Sequence, residues 1–281
     1  KCHFGSRGSA PAPSRPSTHS AAGQQKKQAR RLSPLSSLTK EMAQAPDNEP
    51  LLERKNVSEE PPEIRAGFIT KVYGILCAQL LLTAAIAAPF VLCAGVKAFV
   101  HTRGFPLLIL AVVLNLGFLF AMTCPCGCER NMRTFPTNYL LLAGFTATEG
   151  FLVGVCCAQY TVASVAISVA ATGLLVGALT AYAFFTKTDF TGFGPYLLAA
   201  SLVLMIFGLF LAFVSSPFMH KVYCCLGILV FSFYLIFDTQ LIVGKGKCSL
   251  GVDDYVFAAL QLYIDIIQLF LYILQLFGSR N

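Results

Sequence analysis

Long apolar runs alternate with short polar connections along most of this chain, and the pattern predicts membrane-spanning helices. A hydrocarbon core about 30 Å thick needs about 20 apolar residues per helix. Seven stretches meet that requirement, at residues 72–94, 105–123, 138–159, 162–185, 195–214, 222–243 and 255–277. We therefore predict an all-α membrane protein, a seven-transmembrane helix bundle in which the short connections make successive helices antiparallel.

Residues 1–65 lack this pattern. They are rich in Ser, Pro, Gln, Arg and Glu without an apolar period, which predicts a disordered N-terminal segment ahead of a transmembrane domain at residues 66–278. The composition changes at Met42, the first methionine, so we expect residues 1–41 to be upstream translated sequence or a tag. We also expect no cleavable signal peptide, because no apolar core lies near the N-terminus.

The composition excludes a soluble protein. Only 12% of the residues are charged and 56% are hydrophobic, whereas soluble domains carry about 25% charge. The net charge of +7 does not indicate nucleic-acid binding, since twelve of the 21 Lys and Arg residues lie in residues 1–71. The lipid bilayer is the partner that the composition predicts, and nucleic acid is not.

Basic residues in the connections give a weak indication of orientation. One side would carry Arg130, Arg133, Lys187, Lys245 and Lys247, and the other side Lys97, Arg103, Lys221 and Arg280. The basic residues nearest to the first span are Arg54, Lys55, Arg65 and Lys71. They favour a cytosolic N-terminus, which seven spans would combine with a C-terminus on the opposite side.

Two of the spans carry an aspartate where lipid should forbid one. Asp238 lies in the sixth span and Asp265 near the centre of the seventh. A charge in the hydrocarbon layer costs about 3 kcal/mol or more, so such residues usually face a bundle interior and mark ion or proton paths. The two aspartates are therefore the first candidates for an ion pathway and for pH sensing.

Polar residues accompany both aspartates at helical spacing. Gln261, Gln268 and Gln275 share one helical face with Asp265, while Tyr234 stands one turn before Asp238, close enough for a hydroxyl to meet a carboxylate. We predict that these two faces meet and bring the acids together as a pair.

The remaining polar positions inside the spans are few. Glu149 is a third acid, near the middle of the third span. Gln79 and Asn115 are single amides in apolar spans, and we expect both to form interhelical hydrogen bonds. Gly173-x-x-x-Gly177 in the fourth span would allow another helix to approach closely.

The eleven cysteines do not predict a disulfide framework, since most lie within or beside apolar spans, where Cys behaves as a small hydrophobe. Cys124, Cys126 and Cys128 are the exception. They are free thiols in a short loop, sites of acylation at the membrane edge, or three ligands of a metal without a nearby His. No cofactor is predicted.

Several segments resemble the transmembrane Bax-inhibitor-motif family, in its Lifeguard branch. They are FDTQLIVG, DDYVFAALQLYIDIIQLFLYILQLFG, IRAGFITKVYGILCAQLLLT, FPTNYLLLAGFTATEG and GALTAYAFFTKTDFTGFG. The resemblance covers about residues 64–278. It implies a seven-helix bundle with the last helix central, in an intracellular membrane, that lets Ca²⁺ leak from stores and suppresses cell death.

The resemblance also implies roles for particular residues. The family's paired aspartates correspond to Asp238 and Asp265, and Glu149 matches a third-helix glutamate of the Lifeguard branch. An arginine after the second helix latches the sixth-helix aspartate in bacterial members, and Arg130 and Arg133 stand in that region here.

Two hypotheses from different classes follow. The first is a pH-sensitive Ca²⁺ leak channel of the endoplasmic reticulum or Golgi, with Glu149, Asp238 and Asp265 lining the pathway and the two aspartates binding Ca²⁺ transiently. The alternative is a membrane interaction protein that restrains cell-death partners without transport of its own. No enzyme is predicted, because Asp238 stands in FDTQ rather than in a Gly-x-Gly-Asp protease motif.

Overall fold

A computed structural model describes residues 56–123, 132–214, 216–246 and 250–280 of the chain. This part of the chain contains seven helices long and apolar enough to cross a membrane and no β-strand. They are α1 Pro62–Leu92, α2 Ala94–Thr123, α3 Thr137–Cys157, α4 Val162–Phe185, α5 Gly194–Phe213, α6 Pro217–Val243 and α7 Tyr255–Phe277. The predicted fold class is confirmed.

Some helices extend well beyond their predicted apolar cores. α1 begins at Pro62 rather than residue 72, and α6 at Pro217 rather than residue 222. Proline suits the first turn of a helix, where its missing N–H would have no partner in any case. α2 begins at Ala94, directly after Cys93, so Lys97 lies in a helix and not in a loop.

The last helix occupies the centre of the bundle. In α7, 67% of the most apolar stretch is buried, against 11% in α4 and in α5. α1, α3, α4 and α6 pack directly around α7, whereas α2 packs chiefly on α3 and α5 on α6. The outer helices present large apolar side chains outward, among them Leu116, Leu174 and Phe210. That surface suits lipid.

α1 and α3 run parallel in close contact at a constant register. Gln79 donates from Nε2 to the Thr146 hydroxyl at 3.1 Å. One turn further on, a Cβ at Gly150 would lie 3.3 Å from Thr83 Cα, and one turn beyond that a Cβ at Gly154 would lie 3.2 Å from Ala87 Cα. Small residues on α3 therefore allow the two backbones to approach.

The predicted close approach at Gly173 and Gly177 is wrong for the packing within this chain. A Cβ added at either glycine would meet nothing within 4 Å. Spacing alone did not distinguish this motif from Gly150-x-x-x-Gly154, because it does not show which face of a helix meets a neighbour.

The segment before α1 differs from the predicted disorder. Residues 57–59 form a short 3₁₀ helix, and Val57 is fully buried and donates its backbone N–H to the Leu250 carbonyl at 2.8 Å. Asn56 forms an antiparallel bridge with Gly251. The average composition of the segment does not reveal this single apolar anchor, Val57. Burial of its side chain stabilises the fold by about 1.5–3 kcal/mol. Predictions about residues 1–55 and about Cys124, Cys126 and Cys128 lie outside the described residues.

The α1–α3 register predicts unequal effects of two glycine substitutions. Gly154→Leu should lower the thermal unfolding midpoint of the detergent-solubilised protein strongly, because its Cβ would collide with the Phe90 ring at 2.7 Å. Gly177→Leu is the matched control and should leave the midpoint near that of the wild type. Equal midpoints for the two variants would contradict the α1–α3 contact.

Candidate functional site

The site centres on two carboxyl groups contributed by consecutive antiparallel helices. The connection at residues 244–254 returns the chain from α6 to α7, so Asp238 and Asp265 come side by side, close enough for their carboxyl groups to hydrogen-bond. Both residues are buried, with 4% and 3% of their surfaces exposed. We call these two residues the acid pair.

The acid pair has no cationic partner among the described residues. The Oδ2 atoms of Asp238 and Asp265 are both buried without a hydrogen-bond partner. A buried carboxylate that is neither paired nor hydrogen-bonded is very costly, so a proton or an incoming cation has to compensate the charge. The arrangement is therefore suited to holding a proton between two acids and exchanging it for a cation.

The described residues contain no group of three or more His, Cys, Asp or Glu side chains placed to hold a metal ion. Ca²⁺ takes about six to eight oxygen ligands, more than the four oxygens of two carboxylates. Water or backbone carbonyls would have to supply the remaining ligands.

Tyr234 does not meet Asp238 as predicted. Its hydroxyl lies 3.3 Å from Ser201 Oγ on α5 and donates to it. Tyr234 thus ties α6 to α5. The ring still lies close enough to interact electrostatically with Asp238 and Asp265.

The three glutamines of α7 lie on the helical face that their spacing predicted. Gln261, Gln268 and Gln275 are all half-buried. None of their side chains hydrogen-bonds to a described residue, so their role as a supporting polar face stays a prediction.

The predicted arginine latch is not formed by Arg133 in this structure. Its guanidinium contacts the Asp254 carboxylate instead, with Nη2 and Nε 2.8 Å and 2.9 Å from Oδ1. Arg133 and Asp254 both lie just before a helix on the same side of the bundle, whereas Asp238 lies inside the membrane-spanning part of α6. Arg130 lies outside the described residues.

Glu149 lies apart from the acid pair. Asn115 Nδ2 on α2 donates to Glu149 Oε2 at 2.9 Å and to the Thr148 hydroxyl at 3.2 Å. On α7, Glu149 interacts electrostatically with Tyr263, which is about 200° around the helix from Asp265. The structure therefore does not bring all three acids to one pathway: two meet on one side of α7 and the third faces another side.

A second group of polar side chains surrounds Glu149 and joins α1, α2, α3 and α7. Thr83 Oγ1 and the Tyr263 hydroxyl are 2.7 Å apart, and the bond from Gln79 to Thr146 lies one turn away. The predicted interhelical hydrogen bonds of Gln79 and Asn115 are confirmed. Tyr263 and Thr83 were missed, although a hydroxyl in the middle of an apolar span is a signal of the same kind.

Gln240 was also missed, although it stands in the FDTQ segment beside Asp238. It is only 1% exposed, and both ends of its side-chain amide bond to the α4–α5 connection. The available signal in the sequence was an amide one turn before the end of an apolar span.

This architecture defines the class: a seven-helix membrane protein with an acid pair between its central helix and the preceding one. The sequence matches the family model described as inhibitor of apoptosis-promoting Bax1 over residues 65–281. The chain belongs to this Bax-inhibitor family, which includes the Lifeguard proteins.

Known relatives agree with that assignment. The chain is 35% identical to human protein lifeguard 3 over 223 residues, which cover 78% of this chain and 70% of the relative. It is 34% identical to mouse protein lifeguard 3, with 78% and 71% covered. It is 36% identical to the Golgi anti-apoptotic protein of vaccinia virus strain Lister over 227 residues, covering 80% of this chain and 91% of the viral protein.

The separate position of Glu149 predicts that it does not govern the titration of the acid pair. Glu149→Gln removes the titratable carboxyl group, while its amide oxygen can still accept a hydrogen bond from Asn115. The carboxyl C=O infrared bands that disappear in Asp238→Asn should therefore titrate in Glu149→Gln as in the wild type. A displaced titration would show that the three acids are coupled after all.

Proposed function

We propose that this protein is a pH-sensitive Ca²⁺ leak channel of an intracellular membrane, the Golgi or the endoplasmic reticulum. Its leak would regulate store calcium and suppress apoptosis. The single observation that carries the proposal is the acid pair, two buried aspartates in contact on adjacent membrane-spanning helices with an unpartnered oxygen on each.

The physics of such a pair supports both the ion and the pH response. Two carboxyl groups in contact in a low-dielectric interior cannot both ionise without a large penalty, so they hold a proton between them. Loss of that proton adds a repulsive charge that must either attract a cation or separate the helices. Ca²⁺ prefers carboxylate and carbonyl oxygens, so the pair serves as gate and as transient ion site. Flux should rise as pH rises through this titration.

The relatives support the cellular setting. One is named a Golgi anti-apoptotic protein and matches the chain over 91% of its own length, which favours a Golgi membrane and a role in cell death. The basic residues Arg54 and Lys55, just before α1, and Arg65 and Lys71, in its first turns, favour a cytosolic N-terminus. The acids stand outside any Gly-x-Gly-Asp motif, and we propose no enzymatic activity.

The proposal predicts a specific response to removal of each acid. In liposomes containing the purified protein, Ca²⁺ flux should depend steeply on pH. Asp238→Asn and Asp265→Asn should each flatten that dependence, and the double variant should be no flatter than either single variant, because one partner suffices to abolish the coupled titration. Asp254→Asn is the matched control outside the membrane and should keep the dependence of the wild type.

Three outcomes would contradict the proposal in different ways. Additive effects of the two substitutions would mean that the acids act independently. A fully pH-sensitive flux in the double variant would remove the acid pair from the mechanism. Wild-type protein that moves no Ca²⁺ would favour the alternative, an interaction protein that restrains cell-death partners.

A further inference from the structure

Gln240 connects the end of α6 to the backbone of the α4–α5 connection. Its Oε1 accepts from the Phe190 backbone N–H at 2.8 Å, and its Nε2 donates to the Thr188 carbonyl at 2.9 Å. The side-chain amide thus uses its acceptor and one of its donors on two backbone groups. This geometry restrains rotation as well as distance, because both contacts must be kept at once.

The α4–α5 connection, which Gln240 contacts, is itself held by further hydrogen bonds. Asp189 Oδ1 accepts from the Thr191 backbone N–H at 2.9 Å and from the Thr191 hydroxyl at 2.6 Å. Lys245 Nζ, just after α6, donates to the Phe184 carbonyl at the end of α4. The α4–α5 connection is therefore a fixed support on which the end of α6 rests.

Gln240 and Asp238 lie on opposite sides of α6. Two residues correspond to about 200° of rotation and about 3 Å of rise along a helix. A clamp that holds Gln240 against the α4–α5 connection consequently fixes the direction in which Asp238 points, towards α7. Rotation of α6 about its axis would break both hydrogen bonds of Gln240 and would at the same time move the Asp238 carboxyl away from Asp265.

We propose that Gln240 is a positioning residue for the acid pair: its two backbone hydrogen bonds set the rotation of α6 and so keep the Asp238 carboxyl against Asp265. Gln240 makes no contact with an ion. By fixing the rotation of α6, it keeps the two carboxyl groups in contact. This role of Gln240 depends on the proposed function only if it is tested by Ca²⁺ flux.

The test compares two buried glutamines with the same type of substitution. Gln240→Met keeps the length of the side chain and removes both hydrogen bonds. Gln79→Met is the matched control, because Gln79 is also buried, at 4% exposed, and bonds to another helix through Nε2. Both variants should lose some thermal stability. The distinguishing measurement is the infrared titration of the carboxyl bands that Asp238→Asn removes.

Groups that interact by more than about one pH unit titrate in two joint steps that belong to the pair. Gln240→Met should draw these steps together by about one pH unit, whereas Gln79→Met should leave them unchanged. Gln240→Asn, one methylene shorter, should move them in the same direction and serves as the second variant if Gln240→Met does not fold.

Two results would overturn the proposal. If the folded Gln240 variants lose stability while the titration stays that of the wild type, Gln240 is a structural residue only. If Gln79→Met shifts the titration equally, the effect belongs to the whole bundle. The infrared measurement does not depend on transport. Absence of Ca²⁺ flux in the wild type would therefore contradict the proposed function without deciding the role of Gln240.

Discussion

Contact between two buried carboxyl groups is the constraint that the packing of the rest of the bundle has to accommodate. Asp238 and Asp265 require an environment that shields them from lipid, yet their charge cannot be left uncompensated there. The central position of α7 meets the first demand, since α1, α3, α4 and α6 surround it. No described cation meets the second. Any charge on the pair therefore has to be compensated by a proton or by a cation that is not among the described residues.

Other buried polar atoms also lack partners, and those of Gln79, Asn138 and Thr239 belong to groups that stay neutral. Gln79 Oε1 is one example. A neutral group without a hydrogen bond costs about 1–3 kcal/mol, which packing elsewhere can offset, and its charge never changes. The two Oδ2 atoms belong to groups that gain or lose a charge. α7 therefore carries two different surfaces: a hydroxyl network around Tyr263 that ties helices together, and an acid pair whose balance depends on protons.

Periodicity along the chain was sufficient for the spans and for the proximity of Asp238 to Asp265, since a short connection between antiparallel helices leaves few alternatives. The central position of the last helix was expected only from the resemblance to a known family. Periodicity was not sufficient to predict how each helix is rotated about its own axis. The direction in which α3 turns Glu149, and α6 turns Tyr234, depends on side-chain packing between helices that are distant in sequence. The apolar anchor Val57 was hidden for a different reason, because a composition average does not register one buried residue in a polar segment.

The end of α6 is restrained from two directions on the side of the bundle that carries the segment before α1. Gln240 fixes it to the α4–α5 connection, and Gly244 ends it in a left-handed conformation with φ of 71°. A Cβ at Gly244 would lie 3.1 Å from the backbone of Ser58, so glycine is required there both by conformation and by the close approach of residues 56–60. Both restraints act on residues within six positions of Asp238, so contacts outside the acid pair fix the end of α6 that follows this aspartate.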